Sequence, residues 1–413
     1  MANILKGMYS MQDASMQDAR VYNSDYKDLP PLYLLDNLGS IRIWKVRVED
    51  NRVIKTFGVL ESVTGVEGKL RDSITISSPK NTGKSNSITS HEQAIKEAKA
   101  LWKKQQKRKG YVLSPEKAHT ATIFKPMLAY DWFSEQGQNK FYKYRTKYVF
   151  WSFKLDGVRM YYKNGKKYSR NHDEYPIVND NLEERLEMVV SQFKRMFPDF
   201  DDVILDGELY IHGKTLGEIQ SAVKTKNKNS EILTYNIFDF YSDKNRKVCF
   251  FNRYAMLLEV MDYFIDDSYV LPVFNYIMND GTFDAYDVIR QVEDKGYEGI
   301  MIRLDRPYEQ KRSPCLFKGK KFKDNEFMLV DVIPIQSYYD GEKLIPQGKA
   351  VILLDNKTRK LQEVSFEGSV VEKEDFLLHK ERYIGKMLKV KYKQVLDSGM
   401  LEFPVAECVR VCS

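Results

Sequence analysis

A lysine closes the apolar run Val149-Phe150-Trp151-Ser152-Phe153 and opens the string Lys154-Leu155-Asp156-Gly157-Val158-Arg159. An ammonium group in apolar surroundings is poorly solvated, and burial or neighbouring cations favour its neutral form. A neutral amine is a nucleophile, which makes Lys154 the candidate for covalent chemistry. Gly157 would let the backbone approach a ligand closely, and Arg159 offers a guanidinium fork to an oxygen anion. The plain structural alternative is a strand end with a solvated lysine.

Three later strings supply complementary groups. In Leu205-Asp206-Gly207-Glu208-Leu209-Tyr210 a glutamate sits between apolar strand residues. If it points inward it must have a partner or a use; the alternative is a hairpin, since Asp-Gly is a common turn. In Tyr297-Glu298-Gly299-Ile300-Met301-Ile302-Arg303, Glu298 opens an apolar strand. A carboxylate there suits Mg²⁺ when a phosphate completes the shell; otherwise it is a surface acid. Finally, Lys318 and Lys320 alternate in Leu316-Phe317-Lys318-Gly319-Lys320-Lys321. On a strand both face one side, where two ammonium groups would hold a phosphate. A solvated basic strand is the other reading.

The elements that must position these groups follow from periodicity. Strands are predicted at Val149–Lys154, Val158–Tyr162, Val203–Ile211, Leu233–Phe240 and Gly299–Ile302, with helices at Leu182–Met196 and Asn252–Tyr263. Residues 119–325 therefore read as a mixed α/β domain. Short strands at Phe327–Ile333, Lys349–Asp355 and Met387–Tyr392 predict a small β-barrel over residues 326–413.

Upstream, residues 34–118 form a separate unit. Ile41–Val48 and Val53–Leu60 alternate as strands, and Thr64–Ser87 reads as a polar loop. A helix is predicted from Ser90 to Lys109, with Ser90 and Gln93 spaced as a capping box and Gly110 as its C-terminal cap. Its apolar stripe is Ala94, Ile95, Ala98, Leu101 and Trp102. Lys103, Lys104, Lys107 and Arg108 fall in the last turns, where cations complement the helix dipole. Together with Lys80, Lys84, Ser85 and Ser87 they also suit phosphate contacts that ignore base sequence. Residues 1–33, in which Ser-Met-Gln-Asp-Ala occurs twice in succession, read as a flexible tail.

Composition sets the wider limits. The 413 residues suggest two or three domains, and 43% hydrophobic residues can fill real cores. The net charge of +7 is a modest excess, whose distribution matters more than its sum. Four scattered cysteines without a Cys-x-x-Cys pair argue against zinc or disulfides and for reduced thiols. With no apolar run long enough to span a membrane and no leader-like start at Met1-Ala2-Asn3, an intracellular, non-membrane protein is expected.

Taken in order, Lys154–Arg159, Ser169-Arg170, Asp206–Glu208, Phe238-Asp239, Glu298–Arg303, Lys318 and Lys320 resemble the motifs of the covalent nucleotidyltransferases, the superfamily of polynucleotide ligases and mRNA capping enzymes. Pro126-Met127-Leu128-Ala129 also looks like the segment ligases carry before the nucleophile. The resemblance covers about residues 119–413 and is closest to ATP-dependent DNA ligases. Capping enzymes usually have Asp-Gly where Glu298-Gly299 stands and a tryptophan where Gly319 stands. NAD-dependent ligases carry a zinc module, and RNA ligases usually vary the residues around the lysine. The plan is similar to compact ligases of large DNA viruses, and the N-terminal unit resembles a WGR-type domain through Trp44, Phe57-Gly58, Ala94-Ile95 and Gly110-Tyr111, although the Trp-Gly-Arg string is absent.

The resemblance implies an α+β multidomain protein: a small N-terminal α/β DNA-binding unit, a mixed α/β nucleotidyltransferase domain and a C-terminal OB-fold barrel. It implies a monomer that seals nicked duplex DNA in replication, repair or recombination, using ATP and Mg²⁺ or another divalent cation. Lys154 would form lysyl-AMP. Arg159 and Arg170 would contact sugar and phosphate, Glu208 would hold the ribose and help place metal, and Phe238 would stack on adenine. Glu298 would serve Mg²⁺, and Lys318 and Lys320 would grip the α-phosphate. The last family motif usually has an arginine before Phe-Pro, yet here Glu402 precedes Phe403-Pro404. Either Arg410 or Lys393 would then reach pyrophosphate. The alternatives are an RNA ligase or capping guanylyltransferase and, without catalysis, a nucleic-acid-binding protein with degenerate motifs.

Overall fold

The alternation that begins at Ile41 becomes, in the computed structural model, an antiparallel sheet of β1 (Leu32–Leu35), β2 (Ile41–Glu49), β3 (Arg52–Glu61) and β4 (Arg71–Ile76) in that order. The structure describes residues 29–36, 38–61, 68–119, 123–244, 246–279, 283–293, 297–320, 322–340, 343–396 and 398–409. The tail predicted for residues 1–33 lies outside them up to position 28, and its last part is no tail: Leu32 and Tyr33 pair with Trp44 and Ile43 in β1, and Leu32 is wholly buried. The chain divides into two units, one chiefly from residues before 121, the other chiefly from 121–335 and from 345 on.

In the first unit, Leu32, Trp44, Val46 and Val53 pack against Ala94 and Ala98 of α1 (Ser90–Lys109), and a short α2 (Pro115–Ala118) follows. Three details differ from expectation. The loop predicted for Thr64–Ser87 contains β4, whose Ile74 and Ile76 alternate with Ser73 and Thr75 opposite β3; positions 64–67 of that loop lie outside the described residues. The helix is capped one residue earlier than predicted. Thr89 accepts from the Glu92 backbone N–H at 3.2 Å, and the Glu92 carboxylate accepts from the Thr89 N–H at 2.8 Å. Gln93 is buried instead, donating to Glu97 at 2.6 Å. Finally, with its sheet wholly antiparallel and its long helix placed after it, the unit is α+β rather than α/β.

The second unit is built on two five-stranded sheets. Its strands are β5 (Leu128–Asp131), β6 (Tyr148–Lys154), β7 (Val158–Lys163), β8 (Lys166–Ser169), β9 (Ile204–Tyr210), β10 (Thr234–Tyr241), β11 (Val270–Pro272), β12 (Tyr276–Asn279), β13 (Gly299–Leu304) and β14 (Arg312–Gly319). One sheet runs β11-β10-β9-β7-β8 and the other β12-β6-β13-β14-β5. The helices α3 (Glu135–Tyr144), α4 (Asp180–Met196), α5 (Leu216–Lys224), α6 (Phe250–Met261) and α7 (Ala285–Glu293) clothe them. Helix α4 shows the logic. Asn179 caps it by accepting from the Leu182 N–H at 3.2 Å, and Leu182, Leu186, Val189 and Phe193 recur at helical spacing to form its buried stripe. Each such side chain contributes about 1.5–3 kcal/mol by leaving water. A second core, with Phe141, Val149, Val288, Ile289, Ile300 and Phe317, lies under α3 and α7.

The predicted barrel is present. β15 (Lys323–Asp340), β16 (Lys343–Asp355), β17 (Lys360–Phe366), β18 (Met387–Tyr392) and β19 (Val405–Val409) close in the order β15-β16-β17-β19-β18. Phe376 of α8 (Val370–Leu378) plugs its core beside Leu329, Ile352 and Val390. Among the described residues no helix is long and apolar enough to cross a membrane.

Candidate active site

The two sheets of the second unit share a core of Phe124, Met127, Tyr161, Tyr308 and Leu316. Leu316 and Met301 belong both to this packing and to the wall of a cavity of about 250 Å³. From one sheet, Ser152, Lys154, Met301, Arg303 and Lys318 line it; from the other, Arg159, Glu208 and Phe238 do so. Leu128, Ala129, Phe153, Leu155, Arg170, Val273, Asn275 and Arg312 complete the wall.

Lys154 ends β6 opposite Gly299 of β13. That register brings its Nζ onto Glu298 Oε2, while Glu298 Oε1 accepts from Lys320 Nζ at 2.7 Å. The Glu298 side chain is 8% exposed. Burial acts to raise its pKa, but the two ammonium groups outweigh it and hold the carboxyl below its usual range. Lys320 lies one position past the end of β14 at Gly319, and its ammonium group is near enough to Lys318 to act on it. Close packing demands the glycine opposite: a Cβ on Gly299, whose φ is +147°, would meet the Gly319 carbonyl oxygen at 2.1 Å. Lys318 alone of the pair lines the cavity, with Nζ 3.8 Å from Asp131 and its pKa lowered by burial.

Asp206-Gly207-Glu208 is not a hairpin turn but the middle of β9. Its two carboxylates face different surroundings. Asp206 is fully buried and takes both fork nitrogens of Arg159, Nε at 3.0 Å and Nη2 at 2.5 Å. Glu208 lines the cavity, and its pKa is pushed up to about 7, chiefly by burial against the pull of Lys154 and Arg159. Gly157 does not make room for a ligand. A Cβ there would meet Leu209 O at 2.3 Å and Glu208 Cγ at 2.8 Å, so the glycine lets the lysine string pack onto β9.

Phe238 owes its place to a register shift in the β9–β10 pairing between Ile237 and Asp239. A bulge re-aims the extra residue. Here its ring stands 5.0 Å from the Arg159 guanidinium, at the cavity wall. Asp239 next to it is buried and binds Arg253 at 2.9 and 3.0 Å, and Arg303 as well. Arg170 rides on the turn after β8, closed by Ser169 N–H to Asp173 O at 2.7 Å and His172 N–H to Ser169 O at 2.9 Å. Burial, then the neighbouring Arg159 and Arg312, lower its pKa.

Lys103, Lys104, Lys107 and Arg108 are exposed on the last turns of α1. Lys393, just after β18, pairs with Asp156 of the lysine string and lies 3.6 Å from Glu402. Arg410 lies outside the described residues. Sequence reasoning missed Ser152, Asn275 and Arg312 as wall residues. Ser152 was findable, since it shares a strand face with Lys154 two residues on. Asn275 and Arg312 carry no local signal.

Among the described residues no group of three or more His, Cys, Asp or Glu side chains is placed to hold a metal. Glu208 on the cavity wall and Glu298 on the Lys154 ammonium group nevertheless fit Mg²⁺, which takes one or two carboxylates and fills its shell with phosphate oxygens and water.

Residues 126–320 match the family model of the ATP dependent DNA ligase domain. The chain is similar to the DNA ligase of African swine fever virus. With that of isolate Pig/Kenya/KEN-50/1950 it is 28% identical over 357 residues, covering 80% of this chain and 78% of the relative. With that of isolate Tick/Malawi/Lil 20-1/1983 it is 28% identical over 348 residues, with the same 80% and 78% covered. The fold is also that of a Lig E DNA ligase, described as binding DNA with a minimal scaffold, at TM-score 0.51 and 18% identity over 70% of this chain and 100% of the other. A second solved structure, Pmar-Lig_PreS3, aligns at TM-score 0.53 and 18% identity over 78% of this chain and 72% of its own. Residues 126–320, which enclose the lysine string, both glutamates and Lys318, are thus an ATP-dependent DNA ligase domain, and the viral DNA ligases extend the likeness over most of the chain.

Proposed function

We propose that this ligase seals 5′-phosphate/3′-hydroxyl nicks in duplex DNA through AMP carried on Lys154 Nζ. The observation that supports this is the convergence of Lys154, Arg159, Glu208, Phe238 and Lys318 on one cavity. In the first transfer the amine attacks the α-phosphorus of ATP; a P–N bond forms, the bond to the β-phosphate oxygen breaks, and pyrophosphate leaves. AMP then passes to the 5′-phosphate of the nick. The 3′-hydroxyl finally displaces it, closing the phosphodiester. Such transfers depend on positioning and charge neutralisation.

Within this scheme Phe238 stacks on adenine, Glu208 holds the ribose, Arg159 and Arg170 face sugar and phosphate, and Lys318 grips the α-phosphate with Lys320 behind it. Glu208 and Glu298 are the side chains that would hold Mg²⁺, which offsets charge on the transferring phosphate. The exposed cations Lys103, Lys104, Lys107 and Arg108 contact DNA phosphates outside the site. A need for ATP fits an intracellular setting.

Incubation with labelled ATP or GTP tests the reading. Label should stay on the protein after ATP, vanish with Lys154→Ala, and chase into nicked DNA. Label retained from GTP and not from ATP would overturn it, and sealing only of nicks in RNA would reassign the substrate.

A further inference from the structure

Tyr308, in the link between β13 and β14, has no part in the chemistry above, yet it is only 5% exposed at the core between the two sheets. Its hydroxyl donates to Asp206 Oδ2 at 2.6 Å and accepts from the Met127 backbone N–H at 2.9 Å. Its ring is braced by Phe124, with centroids 5.9 Å apart, and by Tyr241 at 5.4 Å. Asp206 in turn receives Arg159 Nε and Nη2, and Arg159 stands beside Phe238.

An ionised carboxylate only accepts hydrogen bonds, and a guanidinium only donates them. Nε and Nη2 of Arg159 are spent on Asp206, which leaves the Nη1 side for the cavity. The direction of that side depends on the plane of the Asp206 carboxylate. The carboxylate takes the Arg159 fork on both oxygens, and the Tyr308 hydroxyl holds one of those oxygens from the core side, which fixes the plane from a second direction. Because that hydroxyl also takes the Met127 N–H, the segment ahead of β5 is tied into the same chain.

We propose that Tyr308 and Asp206 are positioning residues that aim Arg159, and with it the ring of Phe238, at the nucleotide. This rests on the reading of Arg159 as an ATP contact. It also gives Pro126-Met127 a physical task, anchoring the hydroxyl from behind.

The test is the ATP dependence of lysyl-AMP formation in the full-length enzyme, compared for Tyr308→Phe, Arg159→Ala and the double variant. Tyr308→Phe should raise the ATP concentration needed for half-maximal rate about tenfold, the value of one hydrogen bond to a charged group, with a smaller change in maximal rate. In the Arg159→Ala background the same change should shift it less than about twofold, since residues acting through one another are not additive. Equal shifts in both backgrounds, or none from Tyr308→Phe while Arg159→Ala is impaired, would overturn the inference alone. An unimpaired Arg159→Ala would overturn the Arg159 role and this inference together. Circular dichroism and thermal melting check folding. If Tyr308→Phe fails to fold, Asp206→Asn, which still accepts from Tyr308 but offers Arg159 a single neutral oxygen, goes through the same cycle with the same expected coupling.

Discussion

At Lys154 the amine is shared with a glutamate that is itself shared with Lys320, so the proposed nucleophile sits in a ready-made cluster of alternating charge. Lys154→Ala removes one member without opening the fold. It should abolish lysyl-AMP, measured as protein-bound label from ATP, and leave nick affinity nearly unchanged; persistent adenylation would move the nucleophile elsewhere. Gly157 is the steric counterpart. Gly157→Ala drives a Cβ into Leu209 O and Glu208 Cγ. It should cost about 1–3 kcal/mol of stability. By displacing Glu208 it should also slow adenylation by up to about 100-fold. A variant with wild-type adenylation would show that the lysine string and β9 need not touch.

Among the elements, β10 does the most unusual work, because one bulge turns Phe238 to the cavity while the next residue, Asp239, stays inside with Arg253 and Arg303. Burial acts to raise the Asp239 pKa, and the two arginines overcome it and depress it. The sign follows from linkage. A depressed carboxyl contributes stability that is fully present above its unfolded pKa and is lost as pH falls through the folded one. Asp239→Asn leaves two arginines buried without a counter-charge and should cost about 3–5 kcal/mol in denaturant unfolding near neutral pH. Its deficit against the native protein should shrink in acid. A loss independent of pH would assign the effect to packing rather than charge.

Over the whole molecule, the cations proposed to hold DNA straddle the division of the chain: Lys103 and Lys104 belong to the first unit, while Lys107 and Arg108 fall with the cavity residues in the second. Removing Lys103, Lys104, Lys107 and Arg108 together should weaken nick binding and flatten its dependence on salt, by about 0.9 in log–log slope for each DNA phosphate left without its cation. Lysyl-AMP formation should be untouched. Unchanged nick affinity would leave these cations as complements to the α1 dipole. The barrel contributes to the catalytic unit too, since Lys393 after β18 reaches Asp156, which stands 237 positions earlier in the chain.

That separation in sequence marks what was legible and what was not. The sequence by itself determined the nucleophile candidate, the order of the motif strings, the strands that carry Lys154, Arg159, Glu208 and Phe238, the helices α4 and α6, and the extent of α1. These are local properties, set by apolar period, charge type and glycine placement. It misjudged the α1 cap by one position and missed β4, where short polar stretches leave the period weak. Only the tertiary structure decided which partner each charge takes: Asp206 for Arg159, Glu298 for two lysines, Asp156 for Lys393. It likewise decided that Lys320 leaves the strand and that Phe238 turns inward. Period tells which face of a strand a residue occupies, but what that face meets depends on register between strands distant in the chain, and no local pattern encodes it.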